Sequence, residues 1–298
     1  MFMTVLKSLI LPILAGGGLI CMCWMLPPLR KWKWLARCAF GLAIGVAAFG
    51  AWTAENGLPS FPPSEMAQWL GVFGVFAMVA AMVAAATGER TSPVTELMAV
   101  VTGGLVALAP MISGQFDGKE KLFADMQVAD YLGTGLAIAL GYLVLTPIAE
   151  KRQGTLLPVV FCLAFGGLAP LADAAGWITL TFLCAAVSGT CFFAALAARF
   201  GGTLPIGRGG IIAAVILLAI FSVACFRQGY PGFPWWCLLM VAGSPLILLP
   251  LDSSLLDKFP PWLAMALRVG AVVVLVGLGL FYGLTGGEAE VDPMSMYQ

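Results

Sequence analysis

Long, uninterrupted apolar runs separated by short polar segments dominate the chain. A membrane-spanning helix needs about 20 predominantly apolar residues, and ten runs reach or approach that length. They lie at 5–26, 35–53, 66–86, 96–113, 130–149, 155–172, 176–198, 210–226, 234–251 and 261–282. The runs do not alternate between apolar and polar positions, as the strands of a membrane barrel do. This pattern predicts an all-α, polytopic membrane protein with about ten transmembrane helices.

The composition agrees with this prediction. Hydrophobic residues make up 61% of the chain and charged residues 10%, whereas soluble domains carry about 25% charged residues. So few charges cannot coat a water-facing surface, and the lipid bilayer is therefore the expected partner of most of the surface. We expect one transmembrane domain over 1–286 and a disordered acidic tail over 287–298. A net charge of zero gives no reason to expect a nucleic-acid partner.

The densest basic run, Arg30-Lys31-Trp32-Lys33-Trp34, lies between the first two predicted spans. Lys and Arg near span ends are retained on the cytoplasmic side, and Trp settles at the headgroup level. With the Arg30–Trp34 loop inside, alternation over ten spans places eleven of the 15 Lys and Arg residues on the cytoplasmic side or just within the last span. We therefore predict a multi-pass protein of the bacterial cytoplasmic (inner) membrane with both termini outside.

Two segments, 101–110 and 241–250, can be aligned without a gap. The matching positions are Val101, Gly103, Leu108 and Pro110 with Val241, Gly243, Leu248 and Pro250. Because each half would contain five spans, an odd number, the two halves would run in opposite directions across the membrane. The hypothesis is a 5+5 inverted repeat with halves 1–150 and 151–286, a plan common among secondary transporters.

The repeat directs attention to the prolines of the fourth and ninth predicted spans. Proline removes a backbone donor and blocks the carbonyl one turn earlier, and in lipid the freed carbonyl is tolerated only inside the bundle or beside a cavity. Glycines in the same two spans loosen them further. The candidate substrate-binding residues are Gly103, Pro110, Gly243, Pro250 and Arg268. An ordinary packing kink is the alternative explanation of the prolines.

Arg268 is the deepest ionisable residue, about two turns into the last predicted span, and such residues are functional candidates. Two positions are possible for the Arg268 side chain. It either pairs inside the bundle with Asp252 or Asp257 of the preceding loop, or its long stem carries the charge to the cytoplasmic surface. We expect the second.

Catalytic, cofactor-binding and metal-binding motifs are not apparent in the sequence. The chain has no His and contains neither an H-E-x-x-H nor a G-x-S-x-G motif. No paired carboxylates lie at the predicted midplane of a span. The eight cysteines lie in or beside apolar runs and are expected to act as small apolar side chains. No catalytic, cofactor-binding or metal site is therefore predicted.

Three functional interpretations follow. The first is a secondary transporter for a small neutral or amphipathic solute. The second is a non-transporting subunit that anchors or scaffolds membrane-protein partners, and the third, less favoured, is a membrane enzyme. A cavity beside the broken helices would favour the first, whereas a solid bundle with an exposed groove of small residues would favour the second.

Overall fold

Every regular element among the described residues is helical. A computed structural model of the chain describes residues 5–26, 29, 31–59, 66–86, 128–152, 154–201, 206–228, 234–252 and 256–285. The helices are α1 Leu6–Met25, α2 Lys33–Asn56, α3 Met66–Ala86, α4 Val128–Lys151, α5 Leu156–Ala174, α6 Ile178–Gly201, α7 Gly207–Gln228, α8 Trp235–Ala242, α9 Leu248–Leu251 and α10 Pro261–Thr285. The predicted all-α class is confirmed.

Within the described residues, eight helices are long and apolar enough to cross a membrane, namely α1 to α7 and α10. Each coincides with a predicted span to within a few residues. The count of ten is not confirmed. The predicted span 96–113 lies outside the described residues, as does the tail 287–298. The predicted span 234–251 is not one helix but two short ones, α8 and α9, joined by a 3-10 turn.

Helix α7 is the most enclosed spanning helix described, and α10 the least. In α7, 78% of the most apolar window is buried, against 28% in α10. Helix α7 packs on α2, α3 and α4, while α10 packs mainly on α5 and α8. Aromatic pairs fill the centre: the ring centroids of Phe165 and Phe221 lie 6.1 Å apart, edge to face, a favourable geometry for two rings.

Small residues allow α2, α3 and α7 to approach one another closely. A Cβ added at Gly41 of α2 would lie 2.6 Å from the carbonyl oxygen of Gly209 in α7 and 2.5 Å from Cβ of Ala81 in α3. Only a glycine permits backbones this close, which is how membrane helices maximise van der Waals contact. The three helices therefore depend on glycine at this crossing.

Alternate helix ends collect on one side of the bundle, which we call the basic face. Arg208 at the start of α7 donates a hydrogen bond from Nε to Glu150 near the end of α4 at 2.9 Å. Arg152, just beyond α4, donates from Nε to Asp252, just beyond α9, at 2.8 Å. The beginning of α7 and the ends of α4 and α9 thus share the side that the charge pattern assigns to the cytoplasm.

The remaining helix ends lie on the opposite face of the bundle. A Cβ at Gly50, near the end of α2, would lie 3.6 Å from Pro12, near the start of α1. The rings of Trp236, in the first turn of α8, and Tyr282, in the last turn of α10, are 5.1 Å apart. Spanning helices that follow one another directly therefore run in opposite directions, whereas α3 and α4, which residues 87–127 separate, both end at the basic face.

The described packing does not reproduce the symmetry of the proposed 5+5 repeat. In that repeat, the pair α2 and α3 corresponds to the pair α6 and α7. Helices α2 and α3 pack along much of their length, whereas α6 and α7 touch at only a few positions. The repeat is therefore not confirmed, and its fourth span lies outside the described residues.

The close approach at Gly41 predicts a severe effect of a side chain there. We expect Gly41→Leu to lower the free energy of unfolding by about 1–3 kcal/mol or more, because overpacking a tight contact forces the backbones apart. Thermal unfolding in nanodiscs measures this. Gly277→Leu on α10 is the matched control, since a Cβ there would meet no atom within 4 Å. Equal melting temperatures for the two variants would contradict the packing described.

Candidate functional site

The broken segment between α8 and α9 is the most unusual element described. Helix α8 stops at Ala242, Gly243 follows with φ −80° and ψ −8°, and a 3-10 turn covers Ser244–Ile247. Pro245 has no N–H, so the carbonyl of Val241 one turn earlier loses its α-helical donor. A Cβ at Gly243 would lie 2.5 Å from the carbonyl oxygen of Leu239, so this position also favours glycine.

A cavity of about 700 Å³ lies beside the break. Helices α4 and α7 form two of its walls, and α8 with the 3-10 turn forms the third. Gly243, Pro245 and Leu246 line the end nearer the basic face, and Trp235 lines the end nearer the opposite face. Among the described residues, the cavity therefore borders the segment in which a predicted membrane span is interrupted. Irregular backbone is tolerated at membrane depth where it lines a cavity or is buried in protein.

The cavity lining is apolar apart from a few groups. Among the described lining residues, the side-chain hydroxyls are those of Thr134 on α4 and Ser222 on α7, and Trp235 adds an indole N–H. Ser222 donates its hydroxyl hydrogen to the carbonyl oxygen of Leu218 at 2.6 Å, so its oxygen can still accept a hydrogen bond. No charged side chain is among the described lining residues. This surface suits a neutral group or a hydrocarbon.

Three of the five predicted site residues fall within the described chain. Gly243 lines the cavity, Pro250 lies inside α9 and Arg268 lies on α10. Gly103 and Pro110 lie outside the described residues. The break itself occurs at Gly243 and Pro245, and Pro245 lies five residues before Pro250. The proline selected from the repeat is therefore not the one at the interruption.

Arg268 points into the bundle, and the expectation that it reaches the cytoplasmic surface is wrong. The residue is 5% exposed, and its Nε donates to the carbonyl oxygen of Leu251, the last residue of α9, at 3.3 Å. The physical reason is that the last carbonyls of a helix lack an intrahelical donor. The short helix α9 thus offers an acceptor inside the protein for a cation that water would otherwise solvate. Arg268 is not among the residues that line the cavity.

Asp252, one of the two predicted partners of Arg268, holds an ionic cluster at the basic face. It accepts hydrogen bonds from Lys151 Nζ at 3.0 Å and from Arg152 Nε at 2.8 Å. Burial raises the pKa of Asp252, but the hydrogen bonds from Arg152 and Lys151 outweigh it, so the pKa lies below its ordinary value. The side chain of Asp257 lies outside the described part of the chain.

Sequence reasoning selected Gly243 of the cavity lining but missed the other lining residues and the Asp252 cluster. The cluster joins residues about 100 positions apart, and the only available signal was the assignment of both loops to the same side. The cavity had a weaker signal in the glycines of α4: a Cβ at Gly133 would meet no atom within 4 Å. In the described residues, no group of three His, Cys, Asp or Glu could hold a metal ion.

No protein-family model, curated protein or solved structure matches the chain. The class of protein therefore rests on the fold. A helical bundle with eight apolar helices long enough to cross a membrane is that of a multi-pass integral membrane protein.

The buried position of Arg268 predicts that its removal is destabilising. We expect Arg268→Ala to lower the free energy of unfolding by about 1–3 kcal/mol, because it leaves the buried carbonyl of Leu251 without this donor and opens a void. Arg268→Lys keeps the charge and should lose less. Melting temperatures in nanodiscs report both, with the exposed Arg199→Ala as control. A loss from Arg199→Ala as large as that from Arg268→Ala would contradict this role.

The lowered pKa of Asp252 predicts a pH-dependent contribution to stability. Because the folded-state pKa lies below the unfolded-state value near 3.8, the contribution is present at neutral pH and is lost as pH falls through that value towards the folded-state pKa. We expect Asp252→Asn to lower the melting temperature by a few degrees at pH 7 and by a smaller amount as the pH falls below 3.8. A difference between wild type and variant that stays constant with pH would show that the carboxylate charge has no such role. Asp173→Asn, at an exposed aspartate, is the control.

Proposed function

We propose that the protein is a secondary transporter for a small neutral or amphipathic solute, which binds in the cavity beside the break between α8 and α9. The observation that carries this proposal is the coincidence of the cavity with an interrupted helix. Transporters place substrate at unwound backbone because freed carbonyls and helix ends supply polar contacts within an otherwise apolar membrane. Here Pro245 leaves such a carbonyl at Val241, one turn before it.

The lining supports a solute without net charge. An ionised group moved from water into an apolar site requires a partner of opposite charge, or its desolvation strongly opposes binding. The described lining offers hydroxyls at Thr134 and Ser222 and no charged side chain. A molecule with one or two hydrogen-bonding groups and an apolar body satisfies these surfaces.

The orientation that we propose puts the basic face in the cytoplasm. Lys and Arg are retained on that side during insertion, and the basic face carries Arg152 and Arg208. Both termini are then outside, in a bacterial inner membrane. In this orientation the cavity begins near Trp235 at the outer side and ends at the 3-10 turn, where α9 and its ionic contacts close the inner side.

A second candidate function is that of a scaffold. Leu239 and Leu246 line the cavity and are at least 40% exposed, so a helix of another membrane protein would bury both on packing there. In this case the cavity would be a permanent interface and would not change its accessibility between the two sides of the membrane.

Sided labelling distinguishes the two functions and tests the orientation. Ala137, an exposed residue of the lining on α4, is replaced by Cys, and a charged, membrane-impermeant thiol reagent is applied to vesicles of either orientation. We expect Ala137→Cys to react from both sides, because a carrier exposes its site to each side in turn. Reaction from one side alone, or from neither, would contradict the transporter proposal.

Two controls accompany this measurement. The wild type gives the background, since its described cysteines are buried or half-buried. Lys258→Cys, at an exposed position between α9 and α10, should react only from the cytoplasmic side. Reaction of Lys258→Cys from the outside would overturn the orientation, independently of the result at Ala137.

A further inference from the structure

The cavity is centred on the middle of α4. Its lining on that helix begins at Gly133, five residues after the start at Val128, and ends at Leu145, six residues before the end at Lys151. The rise of a helix leaves about 8 Å of α4 beyond the cavity on each side. The cavity therefore lies at the depth of the membrane centre, where transporters place their substrate sites.

Backbone atoms of the broken segment form part of the cavity wall. Gly243 lines the cavity and has no side chain, so the atoms that it presents belong to the backbone. Ala242, Pro245 and Leu246 of the same segment line the cavity as well. The peptide group that joins Ala242 to Gly243 therefore borders the open space at membrane depth.

The carbonyl oxygen of Ala242 has lost both of the donors that a helix could give it. In a continuous α-helix it would accept from the N–H of Leu246, but that N–H donates to the carbonyl oxygen of Gly243 at 2.9 Å. In a 3-10 helix it would accept from residue 245, which is a proline and has no N–H. A carbonyl in this position is unfavourable within a membrane unless another group donates to it.

The N–H groups of the lining residues at the break are already used. The N–H of Ala242 pairs within α8, and the N–H of Gly243 donates to the carbonyl oxygen of Leu239 at 2.8 Å. The N–H of Leu246 is bonded to Gly243, as described above. The backbone at the break therefore offers the cavity an acceptor and no donor.

The hydroxyl groups of the lining do not add a donor. Ser222 donates its hydrogen to the carbonyl oxygen of Leu218 at 2.6 Å, so its oxygen can only accept from a solute. Thr134 already makes an interaction within the protein. Trp235 carries the remaining side-chain N–H of the described lining, and it lies about 10 Å before Ala242 along α8. Around the break, the described lining is therefore an apolar surface with hydrogen-bond acceptors.

We propose that the cavity binds a neutral solute with an apolar body that donates a hydrogen bond to the carbonyl oxygen of Ala242, such as an indole or an N-alkyl amide. This assignment deepens the proposed function and rests on it, since it names the polar group that the solute carries. A solute that can only accept would leave this carbonyl unsatisfied. A protonated amine would donate, but the described lining holds no carboxylate to compensate for its desolvation.

Two ring systems of nearly the same shape test this preference. Indole carries an N–H where benzofuran carries an ether oxygen. Equilibrium dialysis against the full chain in nanodiscs measures the saturable binding of tritiated indole, and empty nanodiscs give the partition into lipid. We expect unlabelled benzofuran to compete about three- to tenfold more weakly than unlabelled indole, because it lacks the donor for one hydrogen bond. Equal competition by the two probes, or no saturable binding of indole, would overturn the assignment.

Restoring the missing donor should remove the preference. Pro245→Ala supplies an N–H at this position and lets the segment take up α-helical bonding, in which the N–H of Leu246 pairs with Ala242. We expect indole and benzofuran then to compete equally. Pro170→Ala is the matched control, because Pro170 also lies inside a helix, α5, but does not line the cavity. This control should keep the preference of the wild type for indole.

Ser222→Ala tests whether the acceptor is the carbonyl at the break or the hydroxyl on α7. This substitution removes the hydroxyl oxygen and leaves the break intact, so the preference for indole should persist. A preference that is lost in Ser222→Ala and survives in Pro245→Ala would place the acceptor on α7 and overturn the assignment. Melting temperatures in nanodiscs show that each variant is folded.

The sided labelling of Ala137→Cys separates this inference from the transporter proposal. If Ala137→Cys reacts from both sides while indole and benzofuran compete equally, the transporter proposal stands and the donor preference fails. If the two probes differ as expected and Ala137→Cys reacts from one side only, the cavity is a donor-selective binding site and the transporter proposal fails.

Discussion

Backbone hydrogen bonding without water is the constraint on which the rest of this structure depends. In the hydrocarbon core, every N–H and C=O needs a partner within the protein, and uninterrupted helices supply most of these partners in α1 to α7 and α10. Helix α1 begins with a π-helical segment at Leu6–Ile10, and α4 and α5 contain Pro147 and Pro170. The segment from Gly243 to Ile247 departs from that rule within the membrane-embedded part of the described chain. It is tolerated because α5 and α10 pack on the 3-10 turn from one side, while the other side borders the cavity.

The cavity follows from the way small residues distribute the packing. Glycines at the α2, α3 and α7 crossing bring those helices close, and α7 becomes largely enclosed. At Gly141, a Cβ would lie 2.8 Å from Val215 of α7, so α4 also approaches α7 closely. Helix α8 meets α7 from another direction. The space between α4 and α8 remains open because Gly133 and Ala137 present little side-chain volume to fill it.

The fold was predictable from the sequence where the signal is local. Eight spans follow from uninterrupted apolar runs, and the weakness of the ninth follows from the chemistry of Gly243 and Pro245. The orientation of Arg268 was not predictable, since it depends on a carbonyl that becomes available only because α9 ends at Leu251. The Asp252 cluster and the cavity walls join segments distant in the chain. Alignment of 101–110 with 241–250 drew attention to Pro250, although the interruption lies at Pro245.

The cavity and the basic face are coupled through α9. A helix of four residues cannot sustain itself, because isolated helices are marginal below about 12 residues, so contacts from its neighbours hold it in place. On one side, Asp252 binds Lys151 at 3.0 Å and Arg152 at 2.8 Å, with 49% and 23% of these two side chains exposed. On the other side, Arg268 donates a part-buried hydrogen bond to the carbonyl oxygen of Leu251 at 3.3 Å.

Helix α9 is therefore tied to α4 through Asp252 and to α10 through Leu251. In the proposed carrier, opening of the cytoplasmic side would have to separate the wall between the cavity and the basic face. Separation between α4 and α9 breaks two ion pairs, and water can solvate the three charged groups because each is partly exposed. Separation between α9 and α10 breaks a hydrogen bond from a guanidinium that is 5% exposed, which water replaces less readily. The proposed carrier would therefore open between α4 and α9, with α9 and α10 moving together.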